Sequence, residues 1–232
     1  ENTFVKKAGI LCASATELAP FLRTMDIHRI TEKAMLKFYE GTLRQVPVTA
    51  VYSGVCRVNA AVAAELLIEV SGVDAVVNAG TAGGIDPKLR LFDMVVAERS
   101  VYHDVAPDIL TEFHPWMPSA CFPSDGALLS AARRYAEVAE VPVFFGTIAT
   151  GERFIENQDR ERVRQRCAPL AVDMETAGAA HVCYVNEIPF LAVRSVTDTD
   201  AADGAEAFEQ NCEKASEIAA GVTAGLLEIW VR

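Results

Sequence analysis

Basic residues are scarce. Lysine and arginine number 21 against 32 aspartates and glutamates, leaving a formal net charge of −11. A surface for nucleic acid or an anionic membrane wants the opposite sign, and no basic run offsets the deficit, so neither partner is expected. The four histidines (His28, His103, His114, His181) show no HxH or HExxH spacing. None of the six cysteines (Cys12, Cys56, Cys121, Cys167, Cys183, Cys212) forms a CxxC pair. No metal site is therefore expected. Most of the cysteines sit in apolar surroundings and read as buried free thiols. The longest apolar runs are about strand length, far short of a membrane span. No charged-then-apolar leader opens the sequence, so a soluble, reduced, cytoplasmic protein is expected.

What is present is a chain built for a core. Hydrophobic residues make up 51% and charged residues 23% of 232 positions. Strand-like runs alternate with helical patterns. Strands are expected at Ala8 to Ser14, Lys37 to Leu43, Val46 to Ser53, Ala75 to Ala79, Met94 to Arg99, Val141 to Ala149, Leu170 to Glu175 and Ala192 to Asp198. Helices are expected from Thr16 to Thr24, Val58 to Val70, Gly126 to Val138, Gln158 to Arg166, Thr176 to Asn186 and roughly Glu206 to Ile229. The alternation predicts one α/β domain over 1–232, a three-layer αβα sandwich around a central mixed, partly parallel sheet. Asp104 to Asp125, rich in proline and aromatics, reads as a long functional or interface loop.

In open α/β sheets, ligands bind just outside the carboxyl ends of strands. Two acids stand at such ends. The run Ala192-Val193-Arg194-Ser195-Val196-Thr197-Asp198 reads as a buried strand delivering Asp198, and Leu170-Ala171-Val172-Asp173-Met174-Glu175 delivers Glu175 ahead of a small-residue helix. Carboxylates grip vicinal diols because both oxygens accept from hydroxyls. Each acid also has a plain structural reading, an Asx turn for Asp198 and a helix cap neighbour for Glu175. Glu17 follows the first strand and is either a rim carboxylate or an ordinary first-turn helix acid. Gly80-Thr81-Ala82-Gly83-Gly84 follows a buried strand and reads as a turn, whose backbone can come close to a ligand. Phe154 and Ile155 follow another strand, where an aromatic can stack on a flat heterocycle or simply pack. Tyr102-His103-Asp104 has the look of a hydrolase triad fragment, but no nucleophile-elbow serine or cysteine accompanies it, so triad chemistry is set aside.

Ala13-x-x-x-Glu17, Ser53-Gly54-Val55, Asn78 through Gly84, Tyr102-His103-Asp104, Phe154-Ile155, Val172 through Glu175 and Val193 through Asp198 occur in that order. The ordered set resembles the 5′-methylthioadenosine/S-adenosylhomocysteine nucleosidases of the nucleoside phosphorylase superfamily, from about Lys7 to Leu227. The resemblance implies roles. Glu17 activates the hydrolytic water, and Asp198 protonates or hydrogen-bonds adenine N7. Met174 and Glu175 form the ribose site, with Glu175 on the 2′- and 3′-hydroxyls. Thr81, with Gly83 in the same stretch, lies near the water and ribose. Phe154 stacks on adenine, the backbone of Ile155 reads its edge, and Phe208 lies near the 5′ substituent. It also implies a homodimer in which a neighbour's loop helps close the 5′ pocket. No cofactor is expected.

The sequence departs from that pattern. Thr81 stands for serine, Asp173 for glutamate and Arg57 for a common lysine, Ala13 to Thr16 reads Ala-Ser-Ala-Thr, and Val105 to Ala120 matches poorly. Three alternatives stay open: a phosphorylase using phosphate for water, a nucleosidase for another purine nucleoside such as aminodeoxyfutalosine, and a non-catalytic nucleoside-binding protein. Against the first, Glu17 and Asn78 hold the places where phosphorylases resembling this chain keep anion-binding groups, and only Arg57 could be repurposed.

Overall fold

A computed structural model describes residues 6–156 and 158–232. In chain order the elements are β1 (Ala8–Cys12), α1 (Ala15–Thr24), β2 (Met25–Lys33), β3 (Leu36–Leu43), β4 (Val46–Tyr52), α2 (Arg57–Glu69), β5 (Ala75–Gly84), β6 (Met94–Tyr102), α3 (Pro107–Glu112), β7 (Phe122–Pro123), α4 (Gly126–Ala136), β8 (Val143–Thr150), α5 (Gln158–Cys167), β9 (Ala171–Asp173), α6 (Thr176–Val185), β10 (Phe190–Asp198) and α7 (Gly204–Trp230). Among the described residues, no helix is long and apolar enough to cross a membrane.

The sheet is mixed, as expected. β1 runs parallel to β4 and β5, β5 to β10, and β8 to β6 and β9, whereas β2–β3, β3–β4, β6–β10 and β5–β9 are antiparallel. One half is an open sheet, and the other closes on itself, because β5 pairs with both β9 and β10. Side chains alternate between two cores, as strand geometry requires. Ala75, Val77 and Ala79 of β5 face a core shared with Leu18 and Phe21 of α1, Leu128 of α4 and Leu226 of α7. Val76 and Ala82 face the opposite core, with Ala60 and Leu67 of α2 and Ala177 and Ala180 of α6. Helices thus cover both faces of the central sheet.

Three elements escaped the sequence reading. β2 carries Asp26, His28, Arg29, Thr31 and Glu32 among few apolar residues, and it pairs with β3 alone. Charge of this kind suits an edge strand and hides its periodicity. The segment from Asp104 to Asp125 is not structureless but holds α3 and β7. Two boundaries also move. The glycine-rich stretch 80–84 is not a turn: β5 continues through it, held by pairs from Gly80↔Arg194 to Gly83↔Asp198 on β10 and by Gly83↔Val172 on β9. The strand expected from Leu170 to Glu175 stops at Asp173, and Glu175 becomes the N-cap residue of α6.

Candidate active site

Glu17 is fixed by the join between β1 and α1. Ser14 caps α1 by accepting from the Glu17 N–H at 3.3 Å. The side chain, 4% exposed, then folds back onto the sheet. Its Oε2 accepts the Ala13 N–H at 2.7 Å, and its Oε1 accepts the Thr81 N–H at 2.9 Å and the Thr81 hydroxyl at 2.8 Å. Only glycine at position 80 allows this: a Cβ there would lie 2.5 Å from the Glu17 carboxyl carbon. The glycines therefore serve close approach rather than a turn. Gly83 does the same for Asp198, whose Oδ2 would lie 2.9 Å from a Cβ at 83.

Under the floor lies an arginine that the sequence reading missed. Arg194 of β10 is fully buried. It bonds the Asp173 carboxylate at 2.8 Å and lies 3.6 Å from Glu175 and 3.8 Å from Glu17. It also donates to the Thr81 carbonyl at 3.1 Å and to the side chain of Asn78. Asn78 in turn donates to the Leu11 carbonyl at 2.9 Å and accepts from Thr176 at 2.8 Å. One cation thus ties together three acids delivered by two separate stretches of chain, Glu17 after β1 and Asp173 with Glu175 after β9. Glu175 accepts the Cys56 N–H at 3.0 Å. Burial pushes its carboxyl up to about 8, with Arg194 opposing and the nearby Asp173 and Glu17 charges adding to the rise.

Asp198, 1% exposed, ends β10. It accepts from the Thr197 hydroxyl at 2.8 Å and pairs with a second arginine that the sequence reading missed, Arg160 of α5. Burial raises the Asp198 carboxyl, and the Thr197 bond and the Arg160 charge oppose that rise.

A cavity of about 230 Å³ opens above these groups. All nine candidate residues, Glu17, Thr81, Gly83, Phe154, Ile155, Met174, Glu175, Asp198 and Phe208, line it. Phe154 and Phe208 meet edge to face, with centroids 5.9 Å apart. Val55, Ser14 and Arg153 also line it, and Arg153 pairs with Asp159 at 2.7 Å. Arg57 does not line the cavity, and its guanidinium bonds Asp104 and Glu152, each at 2.8 Å. Tyr102 bonds the Ala177 carbonyl, His103 packs over Gly151 and Asp104 pairs with Arg57, and none of the three lines this cavity. Among the described residues, no three His, Cys, Asp or Glu side chains converge to hold a metal. An apolar cleft with a few convergent, buried polar groups has the make-up of a small-molecule site.

Known proteins of similar sequence and fold supply the comparison. The family model described as "Phosphorylase superfamily" matches residues 7–228. Sequences named 5′-methylthioadenosine/S-adenosylhomocysteine nucleosidase from Tolumonas auensis and Anoxybacillus flavithermus are 32% and 35% identical, covering 96% and 90% of this chain and 99% and 92% of theirs. The chain belongs to the 5′-methylthioadenosine/S-adenosylhomocysteine nucleosidase family of the phosphorylase superfamily. Solved members of this nucleosidase family superpose closely. The Neisseria meningitidis nucleosidase bound to methylthio-immucillin-A gives a TM-score of 0.88 at 29% identity, covering 97% of this chain and 100% of that one. The Colwellia psychrerythraea nucleosidase bound to adenine also gives 0.88, at 32% identity, covering 97% and 95%. A futalosine hydrolase from Helicobacter pylori gives 0.87 at 26% identity, covering 97% and 98%.

Proposed function

We propose that the chain releases adenine from 5′-methylthioadenosine and/or S-adenosylhomocysteine by hydrolysis of the N-glycosidic bond. The observation that carries this reading is Glu17: a buried carboxylate on the cavity wall whose two oxygens accept three bonds from the chain. Held in this way on the wall, such a group can take a proton from a water in the cavity. A phosphate dianion placed there would face a negative charge, and the guanidinium that lines the cavity, Arg153, is already paired with Asp159. Arg57 is held away by Asp104 and Glu152, and Arg194 is engaged below the floor. Relatives that bind adenine and methylthio-immucillin-A support the substrate class.

The chemistry follows from the placement. Glycosidic cleavage builds positive charge on the ribose and negative charge on the departing purine. Asp198 gives a proton to N7, the C1′–N9 electron pair leaves with the base, and Glu17 takes a proton from the water that adds to C1′. Glu175 accepts from the ribose hydroxyls, and Phe154 and Phe208 flank the flat base and the 5′ end. The chain acts as a homodimer. Val58 and Val62 of α2 and Tyr184 and Val185 of α6 are exposed, while Val55 is exposed and also lines the cavity. A second copy seated on that face closes the 5′ end.

The test is adenine release in phosphate-free buffer. Full-rate release yielding the free sugar is expected, and Glu17→Gln should abolish turnover while leaving substrate binding within roughly tenfold. A ribose 1-phosphate product or a strict phosphate requirement would overturn the hydrolytic reading. A panel including aminodeoxyfutalosine, ranked by kcat/KM, assigns the 5′ substituent.

A further inference from the structure

Helix α5 carries four arginines, at 160, 162, 164 and 166. Only Arg160 is buried, at 1% exposed, and it shares the inward face with Val163. A guanidinium in an apolar seat is costly unless every donor is used. Here they are well used. Nη2 bonds Asp198, Nη1 donates to the Gly84 carbonyl at 2.6 Å, and Nε donates to Asp203 at 2.8 Å. Asp203 is the N-cap residue of α7, the helix that also carries Phe208. Arg160 does not line the cavity, so whatever it does to the substrate passes through Asp198.

We propose that Arg160, forked between Asp198 and Asp203, is the positioning residue that sets the strength of the leaving-group acid. The inference rests on the nucleosidase reading. An acid at N7 has two requirements that conflict. It must hold a proton while substrate binds, and it must release that proton as the bond breaks. Burial alone satisfies the first and defeats the second. Arg160 stabilises the carboxylate that forms on release. Alone, it would keep Asp198 ionised from the start. Asp203 resolves this: while Asp198 is protonated, Arg160 still has a carboxylate partner, so no uncompensated charge is left buried. The proton leaves Asp198 for N7, and Asp198 then shares the guanidinium with Asp203. Among the described residues, these other groups face the pair. Asp200 lies 4.0 Å from Arg160 but is half exposed and bonds Arg164 at 2.8 Å. β5 contributes backbone only, at Gly83 and Gly84, and α7 contributes the uncharged Asn211, which donates to the Thr197 carbonyl. Glu156 approaches Gly204 at the start of α7.

The test is the alkaline limb of the pH–kcat profile for adenine release, together with the carboxyl infrared band that Asp198→Asn abolishes. Arg160→Gln weakens Asp198 as an acid, so the limb and the band titration should move up by about 1 to 3 pH units. Asp203→Asn removes the competing anion, so both should move down. Opposite shifts in the two variants are a signature that loss of packing cannot produce. Limbs that stay in place, or move the same way, overturn the proposal. If Arg160→Gln fails to fold, Asp203→Asn decides alone: a downward shift supports the proposal and any other result overturns it. Adenine release absent at every pH, with the band shifts intact, would instead overturn the nucleosidase reading.

Discussion

Arg194 is outnumbered. Glu17, Asp173 and Glu175 all lie within 4 Å of its guanidinium, in a region where every one of these side chains is nearly or fully buried. One positive charge cannot balance three negative ones at low dielectric, and the Glu175 carboxyl is pushed up to about 8, by burial first and by the Asp173 and Glu17 charges after it. The consequence for stability has a definite sign. A carboxyl that binds its proton more tightly folded than unfolded stabilises fully below its ordinary value of 4.5, and loses that contribution as pH rises toward about 8. Glu175→Gln should therefore gain in melting temperature over the native chain as pH is raised across that window; a constant difference would show that Glu175 does not titrate there. The same variant should hurt ribosides more than 2′-deoxy substrates, and equal losses in kcat/KM would remove Glu175 from the diol. Asp198→Asn keeps the shape without the proton, and its kcat should fall by about 10²-fold or more; near-native turnover would count against the acid. The carboxylates were legible because acids at the ends of apolar strands are conspicuous. The arginines were not. Arg160 sits among Arg162, Arg164 and Arg166 in a charged helix, and only its position relative to Val163 hints at burial. Arg194 lies within an apolar run, and its partners at 17, 173 and 175 share no spacing with it.

At the level of elements, β5 shows why strand ends were harder to read than strand centres. Gly80, Gly83 and Gly84 look like a turn because glycine is the usual turn residue. In the structure they extend the strand past the point where any side chain could fit beneath Glu17 and Asp198. Periodicity reports which side a residue faces, not what approaches it from another element. Gly80→Ala should consequently leave the far-ultraviolet circular dichroism unchanged while adenine release collapses, because the added methyl displaces the Glu17 carboxylate. Retained activity would mean that Glu17 can work from another position. β2 was lost for the opposite reason: with polar side chains on both faces, its backbone pairing to β3 leaves no trace in the hydrophobic pattern.

For the whole molecule, the sandwich and the mixed sheet were legible from βα alternation, whereas the closure of one half was not, since the second pairing of β5 depends on contacts distant in sequence. The face shared by α2 and α6 carries the prediction for assembly. Arg57 backs onto Gly178, and Asn186 bonds Glu65 at 2.8 Å, so the two helices run side by side and present Val58, Val62, Tyr184 and Val185 together. Sedimentation should give about twice the 25.1 kDa chain mass. Val58→Asp with Val62→Asp should yield monomers with raised KM, and a monomeric native protein of full activity would refute the homodimer.

Thr81 stands opposite Ser195, and Gly83 opposite Asp198, on one hydrogen-bonded ladder. The register shifts by one residue between Val196 and Asp198, so Thr197 is passed over and Asp198 falls opposite Gly83. On the proposed roles, the two β-strands set the spacing between the Glu17 seat at Thr81 and the acid at Asp198. On the proposed roles, the strand pairing acts as a gauge for the span from the anomeric carbon to N7. Slipping β5 by one residue would turn Thr81 and its neighbours to the opposite face and ruin the gauge. Length changes should be intolerable between 81 and 84. Among the described residues Phe154 and Phe208 lie outside the strand ladders and meet edge to face, so on the proposed roles substitutions at Phe208 should change the ranking of 5′ substituents by kcat/KM more than they change the bond-breaking step.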